Sequence, residues 1–314
     1  MSQIAGNSLL ACLCMALYTA ALAEPSALHP ADEYTPPSDE LTFDRDRYQR
    51  MTVPVTVGGH GPYRFLVDTG AQASVVTPRV RDDARLPFEG VARLVAMGSS
   101  AEVETFSLDA LEFAGRELSN LTVALLETRN VGADGILGLD ALQAMRVLID
   151  FRERRITLAD SSEGSSTNGY EIVVRARRKL GQMIITDARI DGVRTAIVID
   201  TGAQGSHGNG ALRRKLGARR TQELLVTDVN GVQTIGQVAL AKEMQLGRLT
   251  LTGVPISYSK SPVFEELGLD SRPALILGMQ SLRMLDRVAI DFAKRRVLFD
   301  IPRNAPREQS NRIW

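Results

Sequence analysis

Asp68 and Asp200 are the residues of this sequence with the clearest capacity for chemistry. Each closes an apolar run, Phe65-Leu66-Val67 and Ile197-Val198-Ile199, and each is followed by Thr-Gly-Ala-Gln. The pentapeptide Asp-Thr-Gly-Ala-Gln thus occurs twice, its two copies 132 residues apart. A carboxylate at the end of an apolar strand and just before a glycine sits where the backbone turns, so its side chain meets a cleft instead of a core. A single such residue is an ordinary strand-to-turn junction. Two of them, presented by equivalent units, can face each other across an approximate twofold axis. Carboxylates that close cannot both ionise, so they share one proton and titrate as a pair. The pair can then hold a water between an ionised base and a neutral acid, which suits hydrolysis of an unactivated amide with no metal, cofactor or covalent intermediate. Thr69 and Thr201 can tie the two loops together through hydroxyl-to-backbone hydrogen bonds. Gly70 and Gly202 are expected to bring backbone N–H donors to the carboxylates and to adopt φ values that other residues resist.

The elements that must position these residues also repeat. Met51 to Val76 and Met183 to Asn209 share one design, in which an alternating strand, a Gly-containing turn and an apolar strand lead to the pentapeptide. Downstream, Ile136-Leu137-Gly138 recurs as Ile276-Leu277-Gly278, and the segment from Ile149, IDFRERRITL, recurs from Ile290 as IDFAKRRVLF. Order, spacing and residue type agree, so the chain reads as two tandem copies of one lobe. The first copy is placed at 46–160 and the second at 170–302, joined by the small polar linker 161–169, with an arm at 24–45 and a tail at 303–314. Short strands dominate each copy. The helical pieces expected are those after the two Ile-Leu-Gly motifs, from Asp140 to Met145 and from Gln280 to Leu285. Asp150 and Asp291 repeat as well, but each opens a hairpin and reads as a turn residue.

With their flanking residues, Phe65 to Ala71 and Ile197 to Ala203, each followed by its Ile-Leu-Gly, resemble the pattern of retropepsin-like aspartic proteases. The resemblance covers roughly residues 46–302. It implies an all-β fold of two tandem retropepsin/pepsin-like β-barrel lobes related by a pseudo-twofold axis, with the active site between them. It also implies that Asp68 and Asp200 are the catalytic dyad, that Thr69 and Thr201 form the grip between lobes, and that one chain holds a complete site, so that a monomer suffices. Leu94 to Phe106 lacks the flap tyrosine of the pepsin branch, which puts the chain nearer the retropepsin side, where each lobe supplies a hairpin flap. The flap candidates are the turn Met97 to Ala101, with Gly98, and the turn Asp228 to Gly231, where Asn-Gly signals a two-residue hairpin. Ala71, Gln72, Ala203 and Gln204 are expected at the cleft floor beside Gly98 and Gly231 as substrate contacts. His207 and Gly208 stand where the first copy has Val75 and Val76, and either a cleft adjustment or looser packing could follow.

The remaining features mainly exclude. The 314 residues carry 37 Lys+Arg against 37 Asp+Glu, with 44% hydrophobic residues. This rules out disorder and removes the basic footprint of a nucleic-acid binder. His60 lies in a Gly-rich turn with no partner spaced for metal binding. Neither a metal site, nor a GxSxG serine, nor a thiol outside the first 23 residues is found. Leu9 to Ala23 is uncharged, too short for a bilayer span, and ends in Ala21-Leu22-Ala23. Although residues 1–8 hold no Lys or Arg, this reads as a signal peptide with a mature start at Glu24 and a periplasmic or secreted product without a membrane span. Cys12 and Cys14 would leave with it. The expected partner is a protein or peptide in extended form, and the expected activity is endopeptidase cleavage. The alternative is a non-catalytic envelope peptide-binding module that keeps the same fold. Glycoside hydrolysis would need carboxylates about 5 Å or more apart, wider than a proton-sharing pair.

Overall fold

Val, Ile and Thr at alternate positions make the segments that lead to each aspartate into strands with one face toward the core. In a computed structural model the described residues are 40–42, 44–45, 51–143, 145–160, 170, 172–217 and 222–301. Met51–Val57 turns through Gly58 and Gly59, both at positive φ (56° and 76°), into His60–Val67, with Val57 paired to His60. That is the primed two-residue turn that a right-twisted hairpin favours, and His60 lies exposed beside it. In the second copy Gln182–Ile190 turns into Val193–Ile199 in the same way. The Ile-Leu-Gly strands Gly135–Leu137 and Ala274–Leu277 lie parallel to the strands that carry the aspartates. Ile136 stands opposite Leu66, and Ile276 opposite Val198.

In the second copy six strands close into a ring. Val193–Ile199, Ala274–Leu277, Ser206–Gly208, Leu249–Tyr258 and Gln233–Leu246 follow one another, and Gln182–Ile190 pairs with both ends of the series. The first copy has the same order, but its closing strand is interrupted. Ser100–Leu108 gives way to Leu111–Phe113, and it is the latter that pairs with Met51–Val57. A further six-stranded sheet is built from both copies. Its order is Glu40–Thr42, Arg155–Asp160, Met145–Asp150, Arg287–Asp291, Arg296–Asp300 and Ile172–Arg175, and the two halves meet antiparallel with Leu148 opposite Ala289. The recurring segments from Ile149 and Ile290 thus belong to hairpins that join the lobes. In their turns Asp150 accepts the N–H groups of Arg152 and Glu153, and Asp291 accepts that of Lys294.

Strand alternation divides the apolar interior. Val67, Ile199, Leu137 and Leu277 point into one large core that also holds Val147 and Ile290. Leu66 and Ile136 belong to a second cluster, Val198 and Ile276 to a third. Leu66 and Val198 are each two residues before an aspartate, so these two smaller clusters lie on the face that the carboxylates share.

Several expectations are corrected. The helices after the Ile-Leu-Gly motifs are only Leu139–Leu142 and Met279–Leu282, and Met145 already belongs to a strand. The described residues hold four further helices: Pro78–Asp83, Gly210–Leu216, Thr128–Val131 and Pro262–Glu266. Pro at the first turn starts Pro78–Asp83 and Pro262–Glu266, and Asn209, accepting the Leu212 N–H (2.8 Å), caps Gly210–Leu216. Residues 40–42 and 44–45 of the expected arm are strands, paired with Arg155–Asp160 and Met51–Val57. The signal segment, the linker 161–169 and the tail 303–314 lie outside the described residues.

Candidate active site

The hydrogen bond from the Asp68 N–H to the Leu137 carbonyl (3.0 Å) ends one strand, and that from Asp200 to Leu277 (3.1 Å) ends its counterpart. Each chain then turns back so that its own N–H groups meet its carboxylate. Asp68 Oδ1 accepts from Gly70 (2.7 Å) and Ala71 (3.0 Å), and Asp200 Oδ1 from Gly202 (2.9 Å) and Ala203 (3.0 Å). Both aspartates are fully buried. Four hydrogen bonds lock the loops together. Thr69 Oγ1 donates to the Ile199 carbonyl (3.0 Å) and accepts from the Thr201 N–H (3.2 Å), while Thr201 Oγ1 donates to the Val67 carbonyl (2.6 Å) and accepts from the Thr69 N–H (3.1 Å).

Neither Gly70 nor Gly202 has the positive φ expected of it. Their need is for space. A Cβ on Gly70 would stand 2.4 Å from Cγ of Asp200, and one on Gly202 would stand 2.0 Å from Oδ2 of Asp68. Each carboxylate therefore rests against the glycine of the opposite lobe, which brings the two carboxylates together. Burial first, and the charge of Asp200 second, push the Asp68 carboxyl well above the usual range, against the lowering effect of the Gly70 and Ala71 N–H groups. A carboxyl held protonated next to a carboxylate is the state in which one proton serves the pair.

A supporting layer was missed in the sequence, although its two serines repeat there. Ser74 and Ser206 occupy the same place after each pentapeptide. Ser74 Oγ accepts the Gly138 N–H (3.1 Å) and donates to Asp140 (2.7 Å); Ser206 Oγ accepts the Gly278 N–H (3.3 Å) and bonds Ser281 (2.8 Å). They tie each aspartate loop to its Ile-Leu-Gly turn. Gln182, fully buried, reaches across to the Gly70 carbonyl (2.7 Å). Among the expected cleft residues, Ala71 and Ala203 are buried in the two dyad-face clusters. The Gln72 amide instead donates to the Leu180 carbonyl (2.8 Å), a contact between the copies. The carbonyl of Gln204 accepts the Gln280 N–H (2.8 Å).

Gly98 and Gly231 sit at the tips of two hairpins. Phe88–Val95 pairs with Ser100–Leu108, and Gln222–Thr227 with Gln233–Leu246. The second turn is longer than the two residues expected: Asp228 and Val232 close it, with Val229, Asn230 and Gly231 between them and Gly231 at φ 79°. That is the three-residue loop with a left-handed glycine. His207 has no part in the cleft. It is buried in Ser206–Gly208, with its ring nitrogens bonded to Ser257 of the neighbouring strand and to Ser259 (2.7 Å) just past that strand's end, and burial lowers its pKa to about 4.

A family model described as aspartyl protease matches the chain twice, over residues 53–141 and 186–281. The matches cover more than half of the chain, and each contains one Asp-Thr-Gly and one Ile-Leu-Gly. The chain belongs to the aspartyl protease family, with the two-lobed, mostly β arrangement of the retropepsin-like proteases. No helix among the described residues is long and apolar enough to cross a membrane.

Proposed function

We propose that the protein is an exported aspartic endopeptidase, active as a single chain, that makes limited cuts in envelope or periplasmic proteins. The observation that carries this is the buried pair of carboxylates, each set against the opposite lobe's glycine, with the proton affinity of Asp68 raised. In the reaction the ionised member takes a proton from a water as that water attacks the peptide carbonyl. The protonated member donates to the carbonyl oxygen, giving a tetrahedral diol, and proton return to the nitrogen releases the amine. The N–H pairs on the Oδ1 atoms steady the negative charge on the dyad while the proton moves. An extended substrate lies between the two hairpins as an added strand. Export rests on the uncharged segment Leu9 to Ala23 and its Ala-Leu-Ala end.

The test is cleavage of an unfolded protein by the purified chain, beside Asp68→Asn and Asp200→Asn. Each variant should lose activity by about 10²–10⁴-fold, the usual worth of acid–base catalysis. Equal cleavage by all three would refute the assignment of the dyad. Tight peptide capture with no turnover by the unaltered protein would favour the binding module. Fractionation of cells, with the N-terminal residue determined, tests export: a cytoplasmic product would sink it.

A further inference from the structure

The second copy carries a segment that the dyad does not use. The connection from Tyr258 to Ala274 is longer than its counterpart from Leu125 to Gly135, and it holds the helix Pro262–Glu266. With the start of Gly210–Leu216 it walls a pocket of about 350 Å³, at the small end of the range for ligand sites. Asn209 fixes the frame. Its Oδ1 caps the helix at Leu212, and its Nδ2 donates to the carbonyls of Leu269 (2.6 Å) and Arg272 (2.7 Å) in the long connection. A pocket pinned in this way needs little ordering when a ligand enters.

The lining offers both an orphaned hydroxyl and unspent charge. Ser261 is only 6% exposed, and its Oγ is without a hydrogen-bond partner among the described residues. A buried hydroxyl left unmade is costly, so one on the wall of a pocket marks a place for a ligand group. Tyr258 and Phe264, both buried, supply an apolar wall. Arg213, Lys260, Glu265 and Asp270 line the same pocket from the surface, two of each sign, and among the described residues no ion pair engages any of them. The corresponding hollow of the first copy is closed on itself. There Asp134 accepts the Arg64 N–H (2.9 Å) and pairs with Arg79 (3.1 Å). Opposite charges set around one small pocket, and not spent on each other, complement a ligand that carries both signs.

We propose that this pocket is a second binding site, for a compact zwitterion of the amino-acid or dipeptide class. Arg213, Lys260 and the Ser261 hydroxyl take its carboxylate, Glu265 and Asp270 its ammonium, and its side chain lies against Tyr258 and Phe264. Occupancy reaches the dyad through Phe264, which packs in one cluster with Val198, Ala203 and Ile276, and the Ala203 N–H holds Asp200 Oδ1 (3.0 Å). Small products of proteolysis are thereby sensed by the lobe that carries Asp200. That consequence rests on the endopeptidase reading, whereas the binding itself does not.

Isothermal titration of the full chain with L-alanyl-L-alanine, its N-acetyl form and its C-terminal amide decides the site without turnover. The zwitterion should bind, and masking either end should weaken it by ~10-fold or more, the worth of a hydrogen bond to a charged group. Ser261→Ala should weaken the dipeptide by ~5-fold or more, and Arg213→Gln should weaken it more than it weakens the amide. Amide NMR signals at residues 210–213 and 258–270 should move on titration, in the Asp200→Asn chain as in the unaltered one. L-alanine, titrated in parallel, separates the sources: binding equal to that of the dipeptide identifies a free amino acid, and binding of the dipeptide alone a peptide product. Binding by neither, equal binding of the masked forms, or signals that move only at residues 95–99 and 228–232 would overturn the site. If the site holds while the unaltered chain cleaves no protein, the endopeptidase reading fails alone.

Discussion

His207 should make the folded protein lose stability in acid by an amount that one substitution removes. The ring lies in a central strand of the second lobe with relative exposure of 2%. Ser257 Oγ donates to the Ser206 carbonyl (3.1 Å), so it accepts from the Nδ1–H, and Nε2 accepts from Ser259. The neutral imidazole is satisfied, and its charged form is opposed by burial, with the pKa at about 4 against 6.5 for the free side chain. The sign follows from proton uptake. Below pH 6.5 the unfolded chain protonates this histidine and the folded chain does not until about pH 4, so stability falls as pH drops through that window and levels off below it. Between pH 7.5 and 4.5 the loss comes to about 2.5 kcal/mol, at about 1.36 kcal/mol per pH unit of difference. The variant is His207→Val, the residue found at the equivalent position of the first copy, Val75. It should lower stability at pH 7.5 by about 1–3 kcal/mol through lost packing, yet lose about 2.5 kcal/mol less than the unaltered protein on going to pH 4.5. Urea unfolding at both pH values measures the double difference, and other titrating groups, the dyad among them, cancel. If the two proteins lose the same stability, the reasoning is refuted, as it is by an NMR titration of the His207 ring near pH 6.5.

Three further outcomes concern the site. Thr201→Val removes the donor to the Val67 carbonyl and the acceptor of the Thr69 N–H, both buried, and should cost about 2–4 kcal/mol in urea unfolding, whereas Thr201→Ser should cost under about 1 kcal/mol. Gly202→Ala puts a Cβ 2.0 Å from Asp68 Oδ2, so cleavage should fall by more than about 100-fold, measured beside Ala203→Gly as a control for chain flexibility. Activity should decline as pH rises through the raised pKa of Asp68, because both carboxylates then ionise, and a rate that instead climbs steadily with pH would contradict proton sharing. The same raised pKa favours the folded state at low pH and loses that contribution as pH rises, opposite in direction to His207.

Much of the frame was legible in the residues. The alternation before each aspartate, the Gly-Gly hairpin before His60 and the matched Ile-Leu-Gly motifs depend on neighbours a few positions apart, and they form the strands expected. The helices Pro78–Asp83 and Gly210–Leu216 were also written there, as a first-turn proline and an Asn N-cap, and escaped notice because they are short and follow apolar strands. The reason for Gly70 and Gly202 was not legible. What excludes a side chain at each is the carboxylate of the other copy, Asp200 for Gly70 and Asp68 for Gly202, far away in sequence, and nothing local reports that approach. The same holds for His207, polar in sequence, whose two hydroxyl partners come from the adjoining strand and the residue just past its end.

By itself the sequence determined two equivalent lobes, each delivering one aspartate at the end of an apolar strand, because strand period, turn chemistry and repeat spacing are short-range properties. Only the tertiary structure decided how the halves meet: the Thr69–Thr201 interlock, the six-stranded sheet shared by both copies, and the hairpin tips joined by Asp228 and Ser99. Those contacts join residues 130 or so positions apart, where desolvation and close approach, and not local propensity, set what a carboxylate or a glycine does.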